Sequence, residues 1–534
     1  MFDLIKHLEE FFCKILRFFS LNAELIKAKR ILPKYKYKKD NKIILVEAWQ
    51  TPWNQLGLSL FLKEFVAIFG GKPTNYYFTQ RNFWFQIKEL IRHRFSLSYR
   101  YGIKNIIFFG PRNRNKAYFM NLAAEILSKI ATPQEFECLK VREVRIGDLV
   151  YDHYLRAAKS PTLNLQDPIL LEKLSDAIAY LEELEDFFKN NQVIAVCVSH
   201  TVYNLAIASR LACKYDIQAF QVTGQSIYRL SNTNSHAYTD FKDYKSLFES
   251  LPRKFKDLGI KEASKRIEKR LNGVVGVDMT YSTLSAYSIN SENDFEFIGD
   301  RKVKVLVAIH DFYDSPHAYG DNLFPDFKIW LDFLADIATD TDYNWYLKTH
   351  PDVIGDGEEI IARFAEENFK FQVIPKNISH HKLIEHGVNV VLTIFGTISA
   401  EYSYLGKLAI NASVNNPHSS FEFSLTPKNL LEYKDTLLNL EKLVISHIPK
   451  KQDVLEFYLM HNIFRLNSWT IRDVDKACKD LGGFSQVCSW KVFKYFYEDV
   501  NSYKKTEISR ALSSFINGDS QAIGRIDFDN LYDF

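Results

Sequence analysis

Short apolar segments alternate with longer segments of helical periodicity in two successive runs, and this alternation constrains the fold more than any other feature. The first run starts at residue 42 and contains the strand-like segments KIILVEA, KNIIFFG, QVIAVCVSH and IQAFQVTG. The second starts near residue 302 and contains VKVLVAIHD, YNWYLKTHPD, FKFQVIP, NVVLTIF and KLAINAS. Apolar strands separated by amphipathic helices are typical of a parallel sheet covered on both faces. The sequence therefore predicts an α/β protein with two Rossmann-like domains facing across a cleft.

A chain of 534 residues is too long for a single hydrophobic core. We expect the first Rossmann-like domain to cover residues 42–298 and the second to cover residues 299–448. A helical segment over residues 449–534 follows. Residues 225–290 are polar and weakly periodic, which predicts loops and peripheral helices within the first domain.

Residues 1–41 differ from the rest of the chain in composition. Apolar residues recur at helical spacing from Ile5 to Phe19, which predicts an amphipathic helix, and the basic stretch KAKRILPKYKYKKDNK follows. Residues 1–42 hold eleven basic against five acidic side chains, whereas the whole chain has a net charge of only +3. Such a segment suits the surface of an anionic membrane. A helix packed on the protein body, followed by a solvated linker, is the alternative.

Composition also excludes several classes of protein. A net charge of +3 gives no overall field for nucleic acid. The six cysteines are scattered without a CxxC pair, so we expect no zinc site. The sequence contains no run of eighteen or more apolar residues, so we expect no transmembrane helix. The N-terminus lacks the cleavage site of a secretory signal. We therefore expect a cytoplasmic protein, with peripheral contact at the inner face of the cytoplasmic membrane as a further hypothesis.

Two strand-to-loop transitions in the second domain carry side chains suited to phosphate. In an open α/β sheet, ligands bind beyond the carboxyl ends of the strands. The segment YLKTHPD places Lys348 and His350 at one such end, where both could neutralise phosphate oxygens. The segment NVVLTIFGTISAEYSYLGKLAIN places Gly396, Thr397 and Ser399 at another, where helix-start amides and hydroxyls could bind a phosphate. We therefore expect both loops to face one nucleotide-binding crevice.

Two further features extend this predicted site. Glu401 lies about one turn inside the helix that follows NVVLTIF, where it could accept hydrogen bonds from ribose hydroxyls. The segment AIHDFYDSPHAYGDNLFPDF places His310 and Asp311 directly after the first strand of the second domain, with Asp314 and His317 further on. A loop at this place would face the cleft between the domains. A solvated loop is the alternative.

The first domain supplies candidates for a general base. Glu47 follows its first strand in VEAWQTPWNQLG, and His200 ends another strand in SHTVYN. A carboxylate in a closed cleft has a raised pKa and could deprotonate an acceptor hydroxyl. His200 could bind the acceptor or act as the base, and Asp311 is a third candidate. A helix cap or a solvated group is the alternative for either strand end.

The two strand-end motifs of the second domain resemble those of known families. FGTISAEYSYLGK is similar to the donor-site element of GT-B glycosyltransferases and nucleotide-sugar 2-epimerases, where a Gly/Ser/Thr turn, a helical Glu and a GKP turn recur. Leu408 stands here in place of that Pro. The K-x-HP pattern of YLKTHPD resembles capsule-type Kdo transferases and CDP-glycerol glycerophosphotransferases. The N-terminal half lacks the acidic triplet of the bacterial sialyltransferases, and no TDYSS-like element of the glycerophosphotransferases occurs. The resemblance covers residues 300–420 best.

This resemblance implies a glycosyltransferase that moves a sugar from a CMP- or UDP-linked donor to a glycan or lipid-linked acceptor. The expected pathway is bacterial capsule or lipopolysaccharide synthesis. Enzymes of this type usually need no metal or other cofactor, so His310 and Asp311 would hydrogen-bond to donor or acceptor. The resemblance also implies a base in the loop of Glu47. A nucleotide-sugar 2-epimerase, a CDP-glycerol-type glycerophosphotransferase and a non-catalytic sugar-binding assembly protein are the alternatives.

Overall fold

A computed structural model of the chain describes residues 41–48, 51–78, 83–94, 96–110, 115–278, 284–288, 295–297, 300, 302–349, 356–466, 468–529 and 531. The amphipathic helix and basic linker predicted over residues 1–41 lie outside these ranges, except for residue 41. His350 of the predicted nucleotide site also lies outside them.

The first sheet contains six strands: β1 (Ile43–Glu47), β2 (Lys72–Phe78), β3 (Asn105–Phe109), β6 (Val193–Val198), β7 (Gln218–Val222) and β8 (Ile227–Leu230). Their order is β3-β2-β1-β6-β7-β8, and only the pairing of β8 with β7 is antiparallel. A separate two-stranded ribbon joins β4 (Lys140–Val141) to β5 (Val144–Arg145). The four predicted strands are all present. Strand β2 was not predicted, because its sequence KPTNYYF buries the polar Thr74 and Asn75 and lacks an apolar run. Strand β8 corrects the prediction of only loops and peripheral helices over residues 225–290, because its four residues are too few to show a periodic pattern.

The second sheet contains five strands: β9 (Lys304–Ile309), β10 (Asn344–Thr349), β11 (Phe371–Val373), β12 (Val388–Thr393) and β13 (Leu408–Asn411). They are all parallel, in the order β11-β10-β9-β12-β13. Each corresponds to a predicted segment. Two sheets that are parallel except for the β7–β8 pair, with helical connections, confirm the predicted fold class of two Rossmann-like domains.

Helices fill the connections between strands. Helix starts follow local signals, as at Thr51 and Asp167, where a capping side chain precedes a proline at the first helical position. Up to the second sheet the helices are Pro52–Phe69, Phe83–Arg94, Leu97–Arg100, Lys116–Leu127, Pro133–Glu137, Gly147–Ala158, Pro168–Asn190, Ile207–Lys214, Tyr244–Ser250 and Arg253–Leu271. From the second sheet onward they are Phe327–Thr339, Gly357–Glu367, His380–Glu385, Ile398–Tyr404, Leu430–Leu438, Leu440–Ser446, Lys451–Tyr458, Val474–Leu481, Phe484–Val487, Lys491–Lys494 and Ser502–Asn517. None of the helices in the described ranges is long and apolar enough to cross a bilayer.

The predicted C-terminal helical segment does not form a layer of its own. Its part from residue 466 onward shares a core with the first sheet, where Trp469 and Phe493 join Val46. Trp469 is fully buried and donates its indole N–H to the carbonyl of Thr223 over 2.8 Å. Burial of one such aromatic side chain stabilises the fold by roughly 1.5–3 kcal/mol. The chain therefore crosses back to the first domain after it completes the second.

A further core lies outside the two sheets. Buried residues between Phe241 and Tyr287 pack there with residues 454–464 and with Ala400, Phe421 and Phe423 of the second-domain region. The segment before the second sheet is thus attached to the second domain by apolar packing. The domain boundaries at residues 298 and 448 stay predictions.

The loop after β9 inserts a buried histidine into the first domain. His317 Nδ1 lies 2.6 Å from Asp152 Oδ1, and its Nε2 lies 3.1 Å from Glu137 Oε2. Burial alone would lower the pKa of His317, but Asp152 and Glu137 outweigh that effect and raise the pKa to about 10. The ring therefore carries a positive charge at neutral pH. It ties the two domains together through buried, charge-assisted hydrogen bonds.

We expect His317→Gln to cost roughly 3–5 kcal/mol of the free energy of unfolding at pH 7, because it leaves two carboxylates without their buried cation. The loss should shrink as pH rises from about 6.5 toward 10, since the wild type then folds with proton uptake. Guanidinium denaturation at pH 7 and pH 9 measures both effects.

Asp321→Asn is the matched control, because Asp321 lies in the same loop and pairs with Arg145 of the first domain at 2.7 Å. Its side chain is 57% exposed, so this variant should lose less than about 1 kcal/mol. Equal losses from the two variants would contradict a dominant role for His317.

Candidate functional site

An open cleft lies at the carboxyl edge of the second sheet. Its volume is about 1000 Å³, including the space open to solvent. Strands β9, β10 and β12 contribute their last residues to its lining, and the segment 270–287 contributes the opposite part. Five residues predicted for substrate or nucleotide binding line it: His310, Lys348, Gly396, Thr397 and Glu401. The structure therefore brings most of the predicted second-domain site together.

Lys348 places a buried ammonium group in this cleft. It is the residue before the last of β10, with 3% of its surface exposed, and its Nζ donates to the carbonyls of Pro375 at 3.2 Å and Lys376 at 3.0 Å. Burial, together with the nearby charge of Lys376, lowers the pKa of Lys348 to about 8. Water no longer stabilises this charge, so an anion that enters the cleft would gain a strong partner.

Glu401 is held by two residues of the segment that precedes the second sheet. Its Oε1 pairs with Arg270 Nε at 2.6 Å, and its Oε2 accepts the hydroxyl of Tyr287 at 2.7 Å. Burial would lower the pKa of Arg270, but Glu401 outweighs it and the pKa is raised. Each carboxylate oxygen has two acceptor sites. Glu401 can therefore keep both partners and still accept bonds from ligand hydroxyls.

His310 and Gly396 meet at Thr393. The Thr393 hydroxyl lies 3.0 Å from His310 Nε2 and accepts the backbone N–H of Gly396 at 3.2 Å. The His310 ring also stacks on Phe327. A Cβ at position 396 would lie 2.7 Å from Thr393 Oγ1 and 3.3 Å from the His310 ring. Glycine is therefore required for the turn after β12 to approach the end of β9.

Two predicted residues, Ser399 and Asp311, are placed differently from the cleft group. Ser399 is fully buried and donates its hydroxyl to Asn411 Oδ1 at 2.6 Å, so that hydroxyl is used inside the domain. Asp311 accepts the backbone N–H of Tyr313 at 3.0 Å and is not among the described lining residues. His350 lies outside the described part of the chain.

The cleft also contains side chains that the sequence did not reveal. Arg270 and Tyr287 come from the region predicted as loops and peripheral helices, and no local pattern marks either of them. His380 begins a short helix, and its Nδ1 lies 2.9 Å from the hydroxyl of Tyr402. Its position before HKLIEHG was visible in the sequence, but the connection to β12 and the cleft was not.

Glu47 and His200 lie together at the carboxyl edge of the first sheet. Glu47 ends β1 with 3% of its surface exposed, and its Oε2 accepts both the N–H and the hydroxyl of Ser199, each at 2.7 Å. Burial raises the pKa of Glu47 to about 7, although the bonds from Ser199 act in the opposite direction. His200 is exposed. The two candidate bases are therefore linked to each other through Ser199.

The polar loop after β9 reaches the same edge of the first sheet. Asp314 accepts the hydroxyl of Tyr203 at 3.3 Å, and Arg156 donates to that hydroxyl at 2.9 Å. Tyr203 has a φ of 55°, in the left-handed region that residues other than glycine rarely adopt.

No group of three or more His, Cys, Asp or Glu within the described ranges could hold a metal ion.

Comparisons with protein-family models and with curated proteins find no match to the sequence. Solved structures to which the chain is similar include a UDP-GlcNAc 2-epimerase from Neisseria meningitidis, at 11% identity over 82% of this chain and 98% of that chain, with a TM-score of 0.22. A glycosyltransferase from Rickettsia africae matches at 12% identity over 88% and 100%, with a TM-score of 0.21. The calicheamicin glycosyltransferase CalG4 matches at 13% identity over 83% and 99%, with a TM-score of 0.23. At these TM-scores the similarity decides nothing about function.

We expect Glu47→Gln to gain stability relative to the wild type as pH rises. The folded-state pKa of Glu47 is raised from 4.5 to about 7, so its contribution is present below pH 4.5 and lost as pH rises through 7. The difference should reach about 3 kcal/mol above pH 7. Chemical denaturation of both proteins at pH 5 and pH 8 measures it, and pH-independent effects of the amide cancel. The same difference at both pH values would mean that Glu47 ionises like an exposed carboxylate.

Proposed function

We propose that this protein is a nucleotide-sugar-dependent glycosyltransferase of GT-B type that binds the donor in the second-domain cleft. The observation that carries the proposal is the buried ammonium of Lys348 at the carboxyl end of β10, inside an open cleft. Ligand sites of open α/β sheets lie at this edge. A buried cation facing solvent-filled space is suited to an anionic ligand such as a nucleotide phosphate.

The rest of the cleft fits the other parts of a nucleotide. Glu401 can accept hydrogen bonds from ribose hydroxyls while Arg270 and Tyr287 hold its orientation. Val274 and Leu284 give the segment 270–287 an apolar surface against which the nucleobase of a nucleotide could pack. His310 and Thr397 add polar groups at the ends of β9 and β12. This combination of one apolar wall and a few polar groups is typical of small-molecule sites.

The finer parts of the proposal rest on the family resemblance of the strand-end motifs. They are a CMP- or UDP-linked donor, a glycan or lipid-linked acceptor, and a role in bacterial capsule or lipopolysaccharide synthesis. Contact of residues 1–41 with an anionic membrane is a separate part of the proposal, and it rests on the apolar periodicity and basic composition of that segment. We propose that the acceptor approaches from the first domain, whose edge carries Glu47 and His200.

A nucleotide-sugar 2-epimerase is the second candidate. All of the cleft's described lining residues lie between Arg270 and Glu401, so the donor could be bound without any contribution from the first sheet. An epimerase needs no second sugar. Incubation with UDP-N-acetylglucosamine alone separates the two, because only the epimerase would produce a new sugar nucleotide without an acceptor.

We expect one nucleotide among CMP, CDP, UDP, GDP and dTDP to raise the unfolding temperature clearly. At 100 times its dissociation constant, a ligand stabilises the folded state by about 2.7 kcal/mol. Lys348→Met should weaken this nucleotide about 10- to 100-fold, because it removes a charge-assisted hydrogen bond worth roughly 1.5–3 kcal/mol. Thermal-shift titration of the wild type and the variant gives both values.

Lys304→Met is the matched control for this experiment. Lys304 is also buried and also donates to a backbone carbonyl, that of His386, at 2.8 Å, but it begins β9 at the opposite edge of the sheet. Its removal should leave nucleotide affinity unchanged. The absence of any nucleotide response in the wild type would overturn the proposed function.

Nucleotide affinity should fall as pH rises above about 8. The pKa of Lys348 in the free protein is about 8, so the charged form that binds phosphate is lost above this value. The dissociation constant should then rise toward tenfold per pH unit. Nucleotide phosphates are already ionised there, because their second pKa is about 6. Calorimetric titrations between pH 7 and pH 9.5 test this, and Lys348→Arg should remove the dependence because arginine stays charged.

A further inference from the structure

Glu47, Ser199 and His200 form a continuous hydrogen-bonded chain at the carboxyl edge of the first sheet. Strands β1 and β6 are parallel neighbours, which brings Glu47 beside the residues that follow Val198. The Ser199 hydroxyl lies 2.7 Å from Glu47 Oε2 and 3.1 Å from His200 Nδ1. Burial increases inward along this chain, since Glu47 and Ser199 are each 3% exposed whereas His200 is exposed.

The geometry, together with an ionised Glu47, determines which imidazole nitrogen carries the proton. A serine hydroxyl has a single proton. Above the Glu47 pKa of about 7 the ionised carboxylate can only accept, so Ser199 donates this proton to Glu47 Oε2, which also accepts the Ser199 N–H. The contact between Ser199 Oγ and His200 Nδ1 then requires a proton on Nδ1. In a neutral imidazole the other nitrogen, Nε2, must carry the lone pair. The exposed end of the chain is therefore a proton acceptor.

We propose that His200 Nε2 is the base that deprotonates the acceptor hydroxyl, and that Ser199 and Glu47 are positioning residues that fix its tautomer. This inference rests on the proposed function. Glu47 and His200 then act together, whereas the sequence presented them as alternative candidates for the general base. Glu47 is too deeply buried to meet an acceptor sugar itself.

The proposed step transfers one proton and one glycosyl group. The acceptor oxygen forms a bond to the anomeric carbon of the donor sugar, and its proton moves to His200 Nε2. The bond between that carbon and the donor phosphate oxygen breaks. The bonding electron pair leaves with the nucleotide, whose added negative charge is stabilised by Lys348. The imidazolium that forms donates its Nδ1–H to Ser199, and the carboxylate of Glu47 stabilises its charge through the serine.

The surroundings of the chain are suited to this role. Although His200 as a residue is exposed, its ring is partly enclosed at the Ser199 contact. This partial loss of water and Arg156 lower the pKa of His200, while the backbone of Ser199 and the carboxylate of Asp314 act in the opposite direction, and the net pKa is lowered. The neutral, proton-accepting imidazole is therefore present at neutral pH. Asp314 belongs to the loop after β9, so the base lies where the first domain meets the second. The Tyr203 hydroxyl hydrogen-bonds to both Arg156 and Asp314 and so connects these two residues.

The tautomer of His200 is the direct test. In the full-length protein labelled with ¹⁵N-histidine, the imidazole shifts at pH 8 distinguish a protonated nitrogen from one with a lone pair. His200 is assigned by the signals lost in His200→Gln. We expect the proton on Nδ1 in the wild type and a shift of population to Nε2–H in Ser199→Ala. A proton on Nε2 in the wild type, or an unchanged tautomer in Ser199→Ala, would overturn the relay.

Ser209→Ala is the matched control. Ser209 is a buried serine of the same domain whose hydroxyl donates to the carbonyl of Ala206 at 2.9 Å. This variant should leave both the His200 tautomer and the turnover unchanged. A tautomer shift in Ser209→Ala as well would mean that general loosening of the domain, rather than loss of the Ser199 contact, causes the effect.

Turnover separates a base from a structural histidine. The substrate is the sugar conjugate of the nucleotide that stabilises the wild type most, mixed with glycan acceptors, and the release of free nucleotide is measured. We expect His200→Gln and Ser199→Ala to lower kcat by about 10²-fold or more, with the donor KM unchanged. Full kcat in Ser199→Ala despite a shifted tautomer would overturn the catalytic role.

The two proposals fail in different ways in these experiments. If no nucleotide stabilises the wild type, the proposed function falls, and the role of His200 as the base falls with it. If a nucleotide binds and Lys348→Met weakens it, but Ser199→Ala keeps both tautomer and kcat, the donor site stands and the relay is wrong.

Discussion

The buried cation of His317 between Asp152 and Glu137 is the contact on which the arrangement of the two domains depends. It reaches from the loop after β9 into the helices of the first domain, where its ring also packs on Tyr151. A charge buried in this way is stable only while both carboxylates are in place. The same loop begins at His310 in the cleft and passes Asp314 beside Tyr203. Its anchoring therefore sets the distance between the donor cleft and the edge of the first sheet.

The donor cleft depends equally on chain segments that are remote in sequence. The second sheet alone supplies Lys348 and Gly396, but Arg270 and Tyr287 precede the sheet and hold Glu401 from the other side. The core that residues 241–287 share with the second-domain region keeps Arg270 and Tyr287 in position at the cleft. A cleft built from a parallel sheet edge and a packed preceding segment is preorganised, so less ordering cost accompanies ligand binding.

The sequence predicted those parts of the structure that local patterns control. All five strands of the second sheet lie in segments that the sequence predicted, and parallel topology then places Lys348 and Gly396 at one edge. Strand β2 could not be found, because it buries the polar Thr74 and Asn75, and Asn75 contacts His93 of another element. Ser399 was assigned to the cleft from its distance to Gly396 along the chain, but the short helix turns its hydroxyl toward Asn411. Arg270 was missed because only tertiary packing brings a polar helix end to the cleft.

Buried charged groups in this protein are of two kinds. Some keep a fixed charge and stabilise the fold, and others can change their charge near neutral pH. Asp148 is fully buried, yet Arg210 outweighs burial and holds its pKa well below the usual range, so the pair keeps fixed charges. Lys348 and Glu47 are also buried, but in both the loss of water outweighs the other influences, and their pKa values move to about 8 and about 7. Both groups can therefore change charge near neutral pH when a ligand or a proton arrives. Each lies at the carboxyl edge of its sheet, where α/β proteins bind ligands.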